Sequence, residues 1–300
     1  MTEPIAVVGA GLMGHGIAQV FACAGRPVTI TDTDPEVLAS VPARVRANLE
    51  RTGEDTAAAD AIELCPHLEP TVRDAAFVFE AVVENLSLKR EVFARASRAA
   101  GPDTVLATNT SVISIGEIAA GALDPGRVVG THWWNPPYLV PLVEVVQAPA
   151  TRAETVARTI ELLDGVGKAP VHVRRDVPGF VGNRLQHALW REAFALVEDG
   201  ICDAETVDFV VKNSFGMRLP VLGPIENADL VGLDLTLSIH DYLMPHLSKA
   251  PEPSALLREH VERGELGMKT GRGFRTWSAG EAQAVRERLV AHLVSTSRGS

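Results

Sequence analysis

Cysteine is scarce in this chain, which has three cysteines, Cys23, Cys65 and Cys202, among 300 residues. Three cysteines at these spacings fit neither a disulfide framework nor a set of metal ligands. We therefore expect no metal site and a reducing, cytoplasmic compartment. Basic residues are outnumbered by acidic ones, and the net charge is −10. This balance argues against a nucleic-acid partner, whose phosphates would require a basic surface.

Long apolar runs are missing as well. No stretch reaches the ~20 apolar residues that a membrane-spanning helix needs, so no membrane partner is expected. The first residues show no basic region and no cleavage site, and we expect no signal peptide. What remains is an ordinary globular composition, 46% hydrophobic and 22% charged. A chain of 300 residues with this composition suggests two domains.

The N-terminal segment has the pattern of a dinucleotide-binding unit. An apolar run at Ile5–Val8 ends on Gly-Ala-Gly-Leu-Met-Gly, and a helical pattern, a β-rich run and an acid follow. The first glycine permits a tight turn, the second lets a pyrophosphate approach the backbone, and the third lets helix and strand pack closely. The acid would hydrogen-bond the ribose and repel a 2′-phosphate, which favours NAD over NADP. We expect the cofactor to contact Gly9, Gly11, Leu12, Met13, Gly14 and Asp32.

Two β-rich runs, Val128–Trp133 and Leu142–Val146, flank a segment with three prolines. This pattern predicts two strands joined by a loop. If the strands fold back on each other, His132 and Glu144 lie side by side across the pair. A carboxylate that holds one imidazole nitrogen leaves the other free to take a proton, as a general base does. The alternative is a half-buried histidine in a core hairpin, but the nearby Asn135 and two tryptophans favour catalysis.

The segment THWWNPPYLVPLVEVV resembles the HxxNP…VE segment of the L-3-hydroxyacyl-CoA dehydrogenase family. Members of that family that act on free hydroxy acids include L-gulonate 3-dehydrogenase and a pyridoxine-degradation dehydrogenase. The resemblance covers nearly the whole chain and includes a GFxxNR motif at residues 179–184. It implies reversible, NAD-dependent oxidation of a 3-hydroxyl, a place in fatty acid metabolism, and a homodimer formed through the C-terminal domain.

The resemblance also assigns catalytic roles. His132 is the general base, Glu144 orients it, and Ser111 and Asn183 hold the 3-oxygen of the substrate. From the residues alone, Ser111 has the alternative role of a helix N-cap or turn residue. Asn183 has the alternative of local capping at the start of its helix.

Three further residues are assigned to the cofactor by the resemblance. Glu84 and Lys89 match family positions beside the nicotinamide ribose, and Asn135 is placed with the cofactor as well. Without the resemblance, Glu84 would be predicted as a helix-end carboxylate and Lys89 as an ordinary exposed lysine.

Strand patterns alternate with helical patterns as far as Asp176–Gly179, a turn-rich break after which helical patterns predominate. Such alternation is typical of a parallel sheet. We therefore predict an α/β fold, a Rossmann-type doubly wound sheet followed by an all-α C-terminal domain. The predicted domains are residues 1–178, which bind NAD, and residues 179–300, which bind substrate and dimerise. Residues 34–70 are predicted to be helical and solvated.

The residues leave the substrate open between a CoA thioester and a small free hydroxy acid. The segment 36–71 lacks lysine, whereas the resemblance implies a longer, lysine-rich hairpin in the CoA-binding members. Trp133 and Trp134 are expected to narrow the acyl pocket. Arg44 and Arg51, however, can share a helix face and meet CoA phosphates. We place the 3-hydroxyacyl-CoA thioester ahead. A crystallin-like structural protein is the non-enzymatic alternative, against which the four catalytic residues argue together.

Overall fold

The computed structural model describes residues 3–297, and its eight strands form a single sheet. The strands are β1 Ile5–Val8, β2 Val28–Thr31, β3 Ile62–Leu64, β4 Phe77–Glu80, β5 Val105–Thr108, β6 Val128–Trp133, β7 Leu142–Val146 and β8 Ala169–Val173. Their order across the sheet is β3-β2-β1-β4-β5-β6-β7-β8. Neighbouring strands are parallel except β6 and β7, which form an antiparallel hairpin. The predicted Rossmann-type sheet is confirmed.

Helices connect these strands. They are α1 Gly14–Cys23, α2 Pro35–Ala39, α3 Val41–Thr52, α4 Leu68–Arg73, α5 Leu86–Ala99, α6 Ile115–Ala119 and α7 Ala153–Asp164. The prediction that residues 34–70 are helical throughout is wrong, because β3 adds an edge strand beside β2. Ile62 is its one buried residue. A strand of three residues is too short to show the alternation by which strands are recognised.

The sheet separates two buried apolar clusters. In β1, Ile5 and Val7 belong to one cluster, while Ala6 and Val8 belong to the other. All residues of β1, β4 and β5 are buried. Strands covered on both faces have nearly continuous apolar sequences, which explains why these runs could be recognised. The carboxyl ends of these central strands form the edge at which doubly wound sheets bind their ligands.

Six more helices follow β8: α8 Gly182–Glu198, α9 Ala204–Asn213, α10 Pro224–Val231, α11 Leu233–Leu243, α12 Ala255–Glu262 and α13 Ala279–Ser297. The all-α character of this part is confirmed. By its internal contacts the chain divides into two compact units. The first runs to Arg184 and includes the chain from Ala291 onward, and the second is Leu185–Val290. The division into domains after residue 178 stays a prediction, and its outermost residues, 1–2 and 298–300, lie outside the described part.

None of the helices between residues 3 and 297 has the length and apolar character required to cross a bilayer.

Candidate active site

The glycine motif forms the turn from β1 into α1. Gly9 has a φ of +99°, and a Cβ added there would lie 2.7 Å from the carbonyl oxygen of Ala81. A Cβ on Gly14 would overlap the carbonyl oxygen of Gly9, so neither position tolerates a side chain. A Cβ on Gly11, by contrast, would meet no atom within 4 Å. The backbone at Gly11 can therefore be approached closely, as the diphosphate of a dinucleotide requires.

Asp32 follows β2 and holds this turn. Its Oδ2 accepts a hydrogen bond from the backbone N–H of Ala10 at 2.6 Å, and its Oδ1 accepts one from the N–H of Asp34 at 2.9 Å. Leu12 is 64% exposed, and Met13 is the N-cap residue of α1. Beside Asp32 lies a cavity of about 330 Å³ at the carboxyl ends of the central strands. Its lining includes Gly9, His67, Val82, Val83 and Arg95.

Arg44 of α3 stabilises the glycine turn. Its guanidinium donates to the carbonyl oxygens of Ala10 and Gly11 at 2.8 and 3.0 Å, and Nη2 lies 2.7 Å from Nδ1 of His15. From the sequence, Arg44 is a predicted partner for CoA phosphates. In the structure, this side chain instead stabilises the dinucleotide-binding turn.

Lys89 is completely buried, so the prediction of an ordinary exposed lysine is wrong. Its Nζ donates to Oε1 of Glu80 at 2.7 Å and lies 3.3 Å from Oε2 of Glu84. Glu80, at the end of β4, also accepts hydrogen bonds from the hydroxyl of Thr108 at 2.6 Å and the N–H of Val82 at 2.8 Å. Burial raises the pKa of Glu80, although its three donors oppose that rise. The carboxylate of Glu80 is the buried partner that draws Lys89 inward.

Glu84 ties the loop after β4 to the loop after β5. Its Oε1 accepts hydrogen bonds from the hydroxyl of Thr110 at 2.5 Å, the N–H of Ser111 at 2.9 Å and the N–H of Val112 at 3.3 Å. Partial burial would raise the pKa of Glu84. The hydrogen bonds and the charge of Lys89 outweigh burial and hold that pKa below its ordinary value. Glu84 lies directly before the N-cap of α5, and its ionised carboxylate also anchors the backbone of Ser111.

Asn183 meets the same loop, since its Nδ2 donates to the carbonyl oxygen of Ser111 at 3.1 Å. The N-cap of α6 is Ser114, whose Oγ accepts from the N–H of Glu117 at 3.4 Å. The N-cap alternative for Ser111 is therefore wrong. The structure brings Asn183 and Ser111 together, and their roles toward a substrate stay predictions.

His132 and Glu144 are direct partners in the β6–β7 register, as predicted. Nδ1 of His132 and Oε2 of Glu144 lie 2.7 Å apart, and both side chains are buried. The other oxygen, Oε1, accepts hydrogen bonds from the N–H groups of Val181 at 2.9 Å and Gly182 at 3.0 Å. Burial would raise the pKa of Glu144, but these hydrogen bonds hold it below its ordinary value. An ionised Glu144 keeps the proton on Nδ1 and leaves Nε2 of His132 as the basic nitrogen.

Two aromatic rings flank His132. The ring centroids of Trp134 and Phe180 lie 5.1 and 5.7 Å from that of the imidazole. Phe180 is buried and has a φ of +48°, a conformation rarely adopted outside glycine and found where the surrounding structure enforces it. Trp133 lies in the core, 2% exposed, with its ring centroid 6.1 Å from that of Phe79. The prediction that Trp133 narrows the acyl pocket is wrong, because successive strand residues point to opposite faces.

Lys168 stabilises the proline-rich loop between β6 and β7, although it is not among the residues predicted from the sequence. Its Nζ donates to the carbonyl oxygens of Pro137 at 2.5 Å and Val140 at 3.1 Å. Burial lowers the pKa of Lys168 to about 8. Pro137 lies against α1, where a Cβ on Gly16 would come within 2.6 Å of its Cγ. Asn135, predicted to meet the cofactor, is exposed at the start of this loop.

The four predicted catalytic residues are joined by short contacts. Glu144 binds His132 and the backbone at Val181 and Gly182. The next residue along the chain, Asn183, binds the Ser111 loop. A buried imidazole with one basic nitrogen beside hydroxyl and amide groups can accept a proton from an alcohol. The predicted cofactor residues gather at the neighbouring strand ends, so the arrangement suits proton removal coupled to hydride transfer.

Two family models match nearly the whole chain. Residues 4–177 match the family model for the NAD-binding domain of 3-hydroxyacyl-CoA dehydrogenase, and residues 179–277 match the model for its C-terminal domain.

Individual relatives are similar to the chain over most of its length. A 5-formyl-3-hydroxy-2-methylpyridine 4-carboxylate 5-dehydrogenase of Mesorhizobium japonicum is 33% identical, covering 99% of this chain and 98% of its own. A solved structure of an enzyme of this activity, described as an NAD+-dependent dismutase, superposes with a TM-score of 0.93 at 32% identity, over 99% of this chain and 98% of that one. The mitochondrial hydroxyacyl-coenzyme A dehydrogenase of Rattus norvegicus is 36% identical over 91% of each chain. The (S)-3-hydroxybutyryl-CoA dehydrogenase PaaH1 of Ralstonia eutropha superposes with a TM-score of 0.77 at 33% identity, over 93% of this chain and all of that one.

Proposed function

Since the chain belongs to the 3-hydroxyacyl-CoA dehydrogenase family and is an NAD-dependent dehydrogenase, we propose that it oxidises the hydroxyl on carbon 3 of a hydroxy acid or of its CoA thioester, with His132 as the base. One observation carries the proposal: Glu144 holds Nδ1 of His132 at 2.7 Å while backbone N–H groups fix its other oxygen. A histidine that only packs in the core does not require an ionised carboxylate partner held by two backbone N–H groups.

In the proposed reaction, Nε2 of His132 takes the proton of the 3-hydroxyl. Glu144 stabilises the imidazolium that results. The hydroxyl of Ser111 and the amide of Asn183 donate hydrogen bonds to the 3-oxygen as its charge changes. Bound NAD supplies the hydride acceptor. In the reverse direction the imidazolium returns its proton to the oxygen of the 3-oxo compound.

The geometry of the glycine turn supports a proposal for the residues that hold NAD. The glycine turn, with Leu12 and Met13, would take the diphosphate on its backbone N–H groups, and Asp32 would take the adenosine ribose. Glu84 and Asn135 would face the nicotinamide half. Lys89 acts behind Glu84, since it is buried against two carboxylates.

For the substrate, we favour a compact free hydroxy acid. The sequence favoured the CoA thioester partly because Arg44 could bind the phosphates of CoA. In the structure, however, the guanidinium of Arg44 is bound to the glycine turn. The relative from Mesorhizobium japonicum, named for a pyridine carboxylate, aligns with the chain almost end to end, which supports the same choice. Trp134 beside His132 leaves room for a compact group more readily than for a long acyl chain.

The CoA thioester is the second candidate. The rat enzyme named for it is 36% identical over 91% of this chain, and Arg51 of α3 is exposed and available for a phosphate. This candidate would place the protein in fatty acid metabolism.

NADH consumption with acetoacetate and with acetoacetyl-CoA under one set of conditions separates the candidates. For the compact acid, we expect kcat/KM for acetoacetate to equal or exceed that for the thioester, with no loss in Arg51→Ala. A thioester preference that falls in Arg51→Ala, but not in the control Arg46→Ala, would instead establish the second candidate. Arg46 is a suitable control because it lies on the same helix as Arg51 and its guanidinium is paired with Asp60. If neither compound nor any other 3-oxo acid is reduced, the proposed function is wrong.

We further propose that the protein is a homodimer formed through its second unit and that it works in the cytoplasm. Among residues 185–290, Ala282 is the single buried residue, so this unit has little core of its own. The three free cysteines are consistent with a reducing compartment.

A further inference from the structure

Trp134 is the first residue after β6 and occupies a tightly defined site. A Cβ on Gly182 would overlap Cζ2 of its indole and lie 3.2 Å from Cη2. The six-membered ring of Trp134 is therefore packed directly on the backbone at the start of α8. The N–H of this same Gly182 donates to Glu144 at 3.0 Å. The indole thus rests on the backbone that anchors the carboxylate behind His132.

The indole is also in contact range of the imidazole, since the two ring centroids are 5.1 Å apart at an interplanar angle of 57°. A substrate hydroxyl must come within about 2.6–3.2 Å of the basic nitrogen of His132 to lose its proton. The indole is the aromatic ring nearest to the imidazole and bounds the space around His132 on one side.

We propose that Trp134 is a specificity-determining residue that limits the group beyond carbon 3 of the substrate to a compact one. This inference rests on the proposed function, because it takes His132 as the base that fixes the position of carbon 3. It concerns the length of the carbon chain. It applies equally to a free acid and to a thioester, since both present the same carbon 3.

Trp134→Phe is a suitable variant. Nε1 of Trp134 is buried without a hydrogen-bond partner among the described residues, so the change removes ring volume and no hydrogen bond. Trp133→Phe is the matched control, because Trp133 is the adjacent tryptophan but packs in the core against Phe21 and Phe79. Both substitutions replace an indole by a phenyl ring, but the side chain of Trp133 lies on the opposite face of the strand.

The experiment measures kcat/KM for straight-chain 3-hydroxy acids that lengthen one carbon at a time beyond carbon 3, together with their CoA thioesters. We expect the wild type to favour the shortest members. In Trp134→Phe the ratio of long-chain to short-chain kcat/KM should rise about 10-fold, since one methylene in a fitted pocket is worth at least that much. In Trp133→Phe the ratio should stay unchanged while the free energy of unfolding falls.

Titration with NADH verifies that both variants keep the cofactor site. If the wild type oxidises these acids and Trp134→Phe has the same ratio of long-chain to short-chain kcat/KM, the inference is wrong and the proposed function is unaffected. Equal rises in both tryptophan variants would also overturn it, because the effect would then come from loosened packing. Failure of the wild type to oxidise any member of either series would remove the proposed function itself, and the inference with it.

Discussion

At the residue scale, Asp32 is expected to act on the cofactor and also stabilises the backbone, because its Oδ2 is bound to the N–H of Ala10 in the glycine turn and its Oδ1 to the N–H of Asp34. Removing the side chain would loosen the turn as well as change cofactor choice. Asp32→Asn is the cleaner change, since the amide keeps the shape and one acceptor but loses the charge that repels a 2′-phosphate.

We expect wild-type protein to prefer NAD over NADP strongly, and Asp32→Asn to narrow that preference by about 10- to 100-fold, the value of one lost charge-assisted interaction. Steady-state kinetics with both cofactors measure the ratio. The nearby guanidinium of Arg44 strengthens the expectation, because its charge is no longer offset once Asp32 is neutral. Equal use of NADP by the unaltered protein would contradict the role of Asp32.

His132 and Glu144 give a second residue-scale prediction. His132→Ala should lower kcat by ~10²–10⁴-fold, the usual contribution of a positioned acid–base group, while NADH still binds. Glu144→Gln should also lower kcat heavily for a defined reason. If the amide oxygen of Gln keeps the N–H groups of Val181 and Gly182, its NH2 faces Nδ1, which must then become an acceptor. The proton moves to Nε2, and the base is lost.

Single-turnover mixing of the enzyme with NAD and substrate checks this pair. Cofactor titration shows that the fold is intact, and Glu144→Asp serves as a control that keeps the charge but shortens its reach. Normal turnover in His132→Ala would refute the proposed mechanism.

At the scale of elements, the hairpin β6–β7 connects the chemistry to the cofactor turn. His132 lies on β6, and the loop that follows packs against α1 through Pro137. Lys168 fixes this loop by donating to two of its carbonyl oxygens. The ammonium is buried, which costs free energy as long as it is charged.

The pKa of Lys168, lowered to about 8, gives a pH prediction with a definite sign. An unfolded lysine has a pKa of ~10.4, so between pH 8 and 10.4 the unfolded chain binds more protons than the folded one. The free energy of unfolding should therefore rise with pH in this window, by up to about 2 kcal/mol from pH 7.5 to 9.5. Lys168→Met should lack this contribution and, at every pH, be destabilised by about 1–3 kcal/mol, because buried carbonyls lose their donor.

Urea unfolding at several pH values measures the difference between wild type and variant. Lys249→Met is the control, since Lys249 is exposed and its loss should change neither the stability nor its slope. A wild-type minus Lys168→Met difference that is flat with pH would rule out a depressed pKa for this amine.

The same elements show what the sequence could and could not predict. The hairpin and its register followed from two β-rich runs and three prolines, because strand alternation places His132 opposite Glu144 once the turn is located. The buried position of Lys89 did not follow. A lysine near a helix start is usually exposed, but Lys89 is held inside by its contacts with Glu80, nine residues earlier, and with Glu84. The signal was the carboxylate in an otherwise apolar strand, since a buried charge requires a partner.

Arg44 is a second residue whose tertiary contacts could not be predicted from the sequence. Its spacing from Arg51 indicates a shared helix face, but no local pattern tells that the guanidinium reaches back to the carbonyl oxygens of Ala10 and Gly11. Such contacts depend on how α3 packs beside α1, which lies beyond what periodicity contains.

At the scale of the whole molecule, the two compact units differ in how their apolar residues are used. The first unit has two buried clusters on the faces of its sheet. In the second, α11 carries apolar side chains along its length and all of them are exposed. They are Leu233, Leu235, Leu237, Ile239, Tyr242 and Leu243. Monomeric proteins rarely leave large apolar surfaces in water.

The last prediction is that a second copy of the chain covers this surface. A symmetric homodimer brings the same surface of both copies together, and light scattering after size exclusion should give twice the chain mass of 32.0 kDa. Leu235→Glu, which places a charge on α11, should shift the mass toward that of one chain and lower the thermal midpoint. Leu123→Glu is the control, because Leu123 is 66% exposed in the first unit and its change should leave the mass unaltered. The midpoint of the wild type should also rise with protein concentration, as mass action requires of a dimer whose folding and association are linked. A wild type that elutes as a single chain at micromolar concentration, with a midpoint independent of concentration, would contradict the dimer.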